Sequence, residues 1–112
     1  AGKLKISDLT VKKAYIEMDA GNAELNQCNF DILEFDVDAG NMKMKSAVVQ
    51  EMKASLSAGN FTFHGDVISS ARIYMNAGNV KLELNRPKEE YDSVILDIDV
   101  DAGKKSIYFN RS

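Results

Sequence analysis

The chain of 112 residues has no tryptophan, one cysteine, one proline and one histidine. Each shortage excludes something. The single thiol, Cys28, cannot close an internal disulfide and assigns no redox compartment. His64 has no second histidine or cysteine with which to build a zinc site. Without a G-x-S-x-G elbow or a matched acid it is also weak ground for a catalytic triad. It falls on the polar side of a strand and reads as exposed. There is no P-loop and no G-x-G-x-x-G, so no cofactor is expected. No apolar run approaches the roughly 18 residues of a membrane span, and no signal segment is visible. Contact with a membrane would have to come through segments outside this chain. The net charge is −3 and the basic residues are dispersed, which gives no footprint for nucleic acid. A hydrophobic content of 45% is too high for disorder and fits one domain with one core.

What is present is a rhythm. Ala-Gly occurs at residues 1–2, 20–21, 39–40, 58–59, 77–78 and 102–103. The first five copies are 19 residues apart and the sixth follows after 25. Of the seven glycines only Gly65 lies outside these dipeptides. A strict period of this length marks an architecture in which each repeat stacks on the last. The chain begins at Ala1, in phase with the repeat and without a methionine, so it reads as a piece of something longer.

Counting each repeat from its Ala-Gly, positions four and six are Leu4/Ile6, Ala23/Leu25, Met42/Met44, Phe61/Phe63 and Val80/Leu82. Positions fourteen, sixteen and eighteen are Ala14/Ile16/Met18, Leu33/Phe35/Val37, Met52/Ala54/Leu56, Ala71/Ile73/Met75 and, past an insertion, Leu96/Ile98/Val100. Both sets alternate with polar residues, and a period of two means strands with one buried face. A further apolar column runs through Val11, Phe30, Val49 and Ile68, and a partly apolar one through Leu9, Cys28 and Ala47. The expected fold is all-β: a single-stranded, parallel β-helix-like solenoid of about five coils of 19 residues, as one domain over 1–112. Gly21, Gly40, Gly59, Gly78 and Gly103 are then corner residues suited to positive φ. Asn22, Asn41, Asn60 and Asn79, which follow four of them, can stack as an amide ladder. The alanine before each glycine is expected to face the core.

The rhythm fails once. An insertion at 85–93 carries Arg86, Lys88, Glu89, Glu90 and Tyr91, with Pro87 marking a loop. It reads either as a recognition loop or as a cap over the core. At the end, Lys105 stands where other repeats place an apolar residue, and an inward lysine discourages further strand pairing. Asn110, Arg111 and Ser112 read as the end of the winding. The first repeat carries Lys3, Lys5, Lys12 and Lys13, yet Leu4 and Ile6 are apolar. Edge-to-edge self-association is therefore open there, as is a missing upstream coil.

The acidic residues offer the one metal reading. Glu17 and Asp19 fall beside Asp36 and Asp38 on adjacent repeats, and carboxylates in a row can bind calcium through oxygen. The bland alternative is a solvated acidic face, and the nonapeptide of calcium-binding β-rolls is absent. Nothing resembles the convergent acid/base pair of a glycan-cleaving β-helix.

Two segments carry a resemblance: residues 73–84, Ile-Tyr-Met-Asn-Ala-Gly-Asn-Val-Lys-Leu-Glu-Leu, and Lys88-Glu-Glu-Tyr-Asp92 leading to Leu96-Asp-Ile-Asp-Val-Asp-Ala-Gly103. They resemble the bacterial adhesin-like, or toast-rack, β-strand-repeat family, over essentially the whole chain. The resemblance implies a right-handed solenoid and a place at the bacterial cell envelope or surface, with no catalytic motif to carry over. The functional expectation is a non-catalytic interaction or scaffold module, presenting a flat strand face and the 85–93 loop to a protein or glycan partner. The alternative is a calcium-stabilised adhesin segment, and a glycan-active enzyme is the third reading.

Overall fold

The computed structural model describes residues 3–109. The readings placed on Ala1, Gly2 and 110–112 lie outside the described residues. The elements are β1 (Lys3–Ser7), β2 (Thr10–Met18), β3 (Asn22–Asn26), β4 (Asn29–Leu84), a 3-10 turn (Lys88–Tyr91) and β5 (Ile95–Phe109). They form one curled, wholly parallel sheet, with no α-helix among the described residues.

β4 is 56 residues of continuous extended chain. Laid straight it would reach roughly 185 Å at about 3.3 Å per residue. The longest dimension of the molecule is 39 Å, so the strand winds back beside itself. The register gives the step. Lys3 pairs with Asn22, Asn22 with Asn41 and Ala14 with Leu33, each 19 residues on. Beyond the insertion the step is 25, as in Ser70 with Ile95 and Leu84 with Phe109.

In-register winding puts equivalent side chains directly over one another, so the apolar columns merge into one core. Leu25, Leu33, Val37, Met44, Leu56, Phe63, Ala71 and Met75 are fully buried, and Phe35 packs against Phe61 with ring centroids 5.2 Å apart. Four of the five methionines lie in this core, where an unbranched side chain fills irregular gaps. No polar or charged residue is buried among those described. At ~1.5–3 kcal/mol per large buried side chain, the core stabilises a row only when its neighbours cover it.

The corner glycines have φ of 118° to 138°, a region closed to most side chains. Stacking adds a second constraint. A Cβ on Gly59 would overlap the carbonyl oxygen of Gly40, and one on Gly78 that of Gly59. The asparagines beside them form a ladder, with Nδ2 of Asn41, Asn60 and Asn79 donating to Oδ1 of Asn22, Asn41 and Asn60 at 2.9, 2.9 and 3.0 Å. The alanines do not face the core. Ala39, Ala77 and Ala102 are exposed and Ala20 and Ala58 half-buried. The last inward residue of each row is Met18, Val37, Leu56 or Met75, and the chain has begun to turn outward before the alanine.

A second corner carries no Ala-Gly signal. Asp8, Gln27 and Ser46 have φ of 55°, 53° and 52°. Each left-handed residue shifts the alternation by one, so that Leu9, Cys28 and Ala47 turn inward after Ile6, Leu25 and Met44. Gly65 occupies the same column without a positive φ. Alternation then runs unbroken through Phe61, Phe63, Gly65 and Val67, all buried. This corrects the expected apolar column: Val67 is buried and Ile68, 44% accessible, points to solvent. Gly65 is needed there because a Cβ would overlap the carbonyl oxygen of Ala47.

Both end rows are only partly covered, with Leu96, Val100, Ile107 and Phe109 half-buried at the β5 end. Lys105 stacks in register on Val80, and its ammonium reaches across the end of the core to donate to the carbonyl of Ile98 at 3.2 Å. Tyr91 and Phe109 pack together at the same end, centroids 5.6 Å apart. At the other end Ile6, Val11, Ala14, Ile16 and Met18 are only half-buried, and Leu4 is 40% accessible. Gly59→Ala is expected to destabilise the protein by at least about 2 kcal/mol, from backbone strain plus the carbonyl overlap. Urea denaturation against the wild type measures it.

Candidate functional site

Alternate residues of the β2, β4 and β5 strands point away from the core. Parallel register stacks them into two outward columns. Tyr15 lies beside Glu34 and Glu17 beside Asp36; further along, Arg72 lies beside Asp97 and Tyr74 beside Asp99. Lys53 and Ser55 fill the rows between. All of these but Glu17 line an open groove of about 410 Å³. Tyr15 stands at one end of it and Tyr74 one row short of the other, where Asp97 and Asp99 lie; the two rings are 59% and 44% accessible, held out into solvent. The small Ser55 between them leaves the hollow. Neither Lys53 nor Arg72 makes an ion pair within 4 Å among the described residues.

The Tyr74 hydroxyl donates to Oδ2 of Asp101 at 2.8 Å. That hydrogen bond and the carboxylate charges of Asp101 and Asp99 push its pKa above the usual 10.0. Tyr15 is pushed up as well, by desolvation and by Glu17, Asp36 and Glu34. Both rings are therefore neutral hydrogen-bonding platforms at physiological pH. The groove offers aromatic faces, a serine hydroxyl, two cations and flanking carboxylates, which suits recognition of a polar surface. Neither tyrosine stood out in the sequence; their outward places in the alternation were the signal, but only the register shows that Tyr15 and Tyr74 border one hollow.

The calcium candidates Glu17, Asp19, Asp36 and Asp38 are all exposed. Glu17 is in register with Asp36, and the Asp19 carbonyl accepts the amide of Ala39 at 3.0 Å. Among the described residues no three His, Cys, Asp or Glu side chains gather into a group able to hold a metal ion. The geometry explains why. Alternate residues on one strand stand roughly 6.6 Å apart and adjacent strands about 4.8 Å apart, whereas calcium takes six to eight oxygens at about 2.3–2.6 Å. His64 is exposed, and Cys28 is buried with Sγ 3.3 Å from the Asn26 carbonyl.

The 85–93 insertion is tied down. Oδ1 of Asp66 accepts the Tyr91 hydroxyl at 2.8 Å and Nε of Arg86 at 3.0 Å. Arg86 also donates to the Val67 carbonyl at 3.2 Å, and its guanidinium carbon lies 4.8 Å from the Tyr91 ring centre. Glu90 approaches it at 3.9 Å. Of the proposed recognition residues, then, Tyr91 is buried and Arg86 half-buried against the body, while Glu89 and Glu90 are exposed. The Lys88 side chain lies outside the described residues. Asp66 went unnoticed in the sequence, although an acid in the column of Leu9, Cys28 and Ala47 was a signal. It can face Arg86 because the extended Gly65 leaves the alternation unshifted.

Burial lowers the Arg86 pKa, but Asp66 and Tyr91 outweigh it and the net direction is up. Burial pushes the Tyr91 pKa up from 10.0, and the bond to Asp66 adds to this. A tyrosine whose folded pKa is raised contributes stability in full below pH 10, lost as pH rises through the folded value. Melting temperature is therefore expected to fall above about pH 10, with a shallower fall in Tyr91→Phe. Asp66→Ala is expected to cost about 2 kcal/mol by leaving Arg86 and Tyr91 without their acceptor, as read by denaturant titration at neutral pH.

Comparison with protein-family models, with curated proteins and with solved structures finds no match to this chain.

Proposed function

We propose that the chain is a single-stranded β-solenoid of about five coils. It acts as a non-catalytic interaction or scaffold module of a bacterial cell-surface or envelope protein, of the toast-rack, adhesin-like kind. The partner is a protein or a glycan, met on the outward strand face. The wound architecture is supported by the 19-residue register and by the stacked glycine and asparagine corners. The functional reading rests on one observation: two large tyrosine rings are held exposed along a groove that also presents Lys53 and Arg72. Exposed aromatics and an arginine on a rigid, rimmed hollow are the surface groups that contribute most at recognition sites. The strands below hold them in place, so little side-chain freedom is lost on binding.

The test is binding of purified protein to bacterial envelope fractions, separated into glycan and protein components. Wild type is expected to bind one component. Tyr15→Ala/Tyr74→Ala is expected to lose at least about tenfold in affinity with its melting temperature unchanged. Equal binding by the double variant would remove the groove from the function.

A further inference from the structure

Among the described residues β2 is one edge of the sheet, pairing on one side only, with β4, as β5 does at the other end. The inward residues of β2 are under-covered. Ala14 and Ile16 are half-buried, whereas their register neighbours Leu33 and Phe35 are 0% and 1% accessible. We propose that this edge pairs with the same edge of a second copy of the chain, antiparallel, about a two-fold axis at Tyr15.

Residues 13–17 of β2 are self-complementary in that arrangement. With Tyr15 opposite Tyr15, Lys13 of each copy falls opposite Glu17 of the other, and Ala14 opposite Ile16. Directly opposed residues of an antiparallel pair share a face. The outward face thus gains two opposite-charge pairs flanking two stacked tyrosines. The inward face continues the apolar core across the junction, covering Ala14 and Ile16. Of the lysines at this end, Lys13 meets a carboxylate, Lys3 and Lys5 belong to β1, beyond the corner at Asp8, and Lys12 falls opposite Met18, outside the five matched residues.

The competing arrangement is head-to-tail, with the β1 and β2 edge of one copy continuing the register past β5 of another. It would set Lys3 beside Lys104, Glu17 beside Asp99 and Asp19 beside Asp101, since these pairs occupy the same columns. Like charges in register repel, and the Lys105 ammonium already lies across that end, donating to the Ile98 carbonyl. An isologous pair is closed, whereas head-to-tail stacking is an open fibre. Charge therefore selects the closed dimer. Pairing also joins the two grooves at the paired Tyr15 rings, giving one surface that runs from Tyr74 of one copy to Tyr74 of the other.

Analytical ultracentrifugation of the whole chain tests this. Wild type is expected to be dimeric. Lys13→Glu and Glu17→Lys are each expected to weaken the dimer by roughly tenfold, since two attractive pairs become repulsive. The double variant K13E/E17K restores the pairs and should recover the dimer. An equimolar mixture of the two single variants should form a heterodimer for the same reason. Circular dichroism checks that every variant is folded. A wild type that stays monomeric to about 1 mM would overturn the proposal and leave the edge to another segment or protein. A dimer indifferent to the charge exchanges would also overturn it, because it would use another face.

Discussion

Backbone pairing of the chain with itself 19 residues further on is the constraint from which the rest follows. Once that step is set, every residue lies one strand spacing from its equivalents, and whatever a position requires it requires in every row. Leu25, Met44, Phe63 and Leu82 share a column and all are buried. At the corners the constraint is tighter, because backbone rather than side chain occupies the space. Each stacked glycine leaves room for the carbonyl of the glycine before it, and any Cβ would remove that room. The asparagine ladder is the polar counterpart, with each amide donating to the oxygen one row back.

The two irregularities of the repeat are one structural event. Where the first three rows place a left-handed residue, residue 65 is an extended glycine, and the following side chains keep their alternation. Val67 enters the core and Asp66 faces sideways. Asp66 then binds Arg86 and Tyr91, at the two ends of the only insertion. Twenty residues separate Asp66 from Arg86 along the chain, but a single strand spacing separates their rows. Tyr91 also covers the end of the core against Phe109. The insertion is thereby held as part of the packed body, with Glu89 and Glu90 left to solvent.

The outward face answers to different physics. Its side chains do not fill the core, so the Tyr15, Glu34, Lys53, Arg72, Asp97 column is free to mix aromatic, acidic and basic groups where the inward columns cannot. Rigid strands beneath hold these groups at set positions, which turns an irregular column into a defined groove. The same regular spacing keeps the carboxylates apart. A row of acids that looks dense in the chain is spread along a flat lattice, and charge density in sequence does not become convergence in space.

Periodicity of two and a repeat of 19 were enough to read parallel, stacked strands, the inward columns and the glycine corners, because those features depend on backbone geometry that recurs in every row. The sequence by itself also marked the insertion and the lysine at the far end. It misled at the alanines, which are small enough for a core and yet lie where the chain has turned outward, and at Ile68, whose place the neighbouring Val67 takes. It was silent on the second corner, since Asp8, Gln27 and Ser46 share no residue type, only a φ near 50°. Only the tertiary structure decided that Asp66 anchors the insertion, that Tyr15 and Tyr74 border one groove, and that the Lys105 ammonium lies across the end of the core. Each of these depends on which way a side chain faces after a corner. A corner shifts that direction by one residue, through a backbone torsion that the residue names do not disclose.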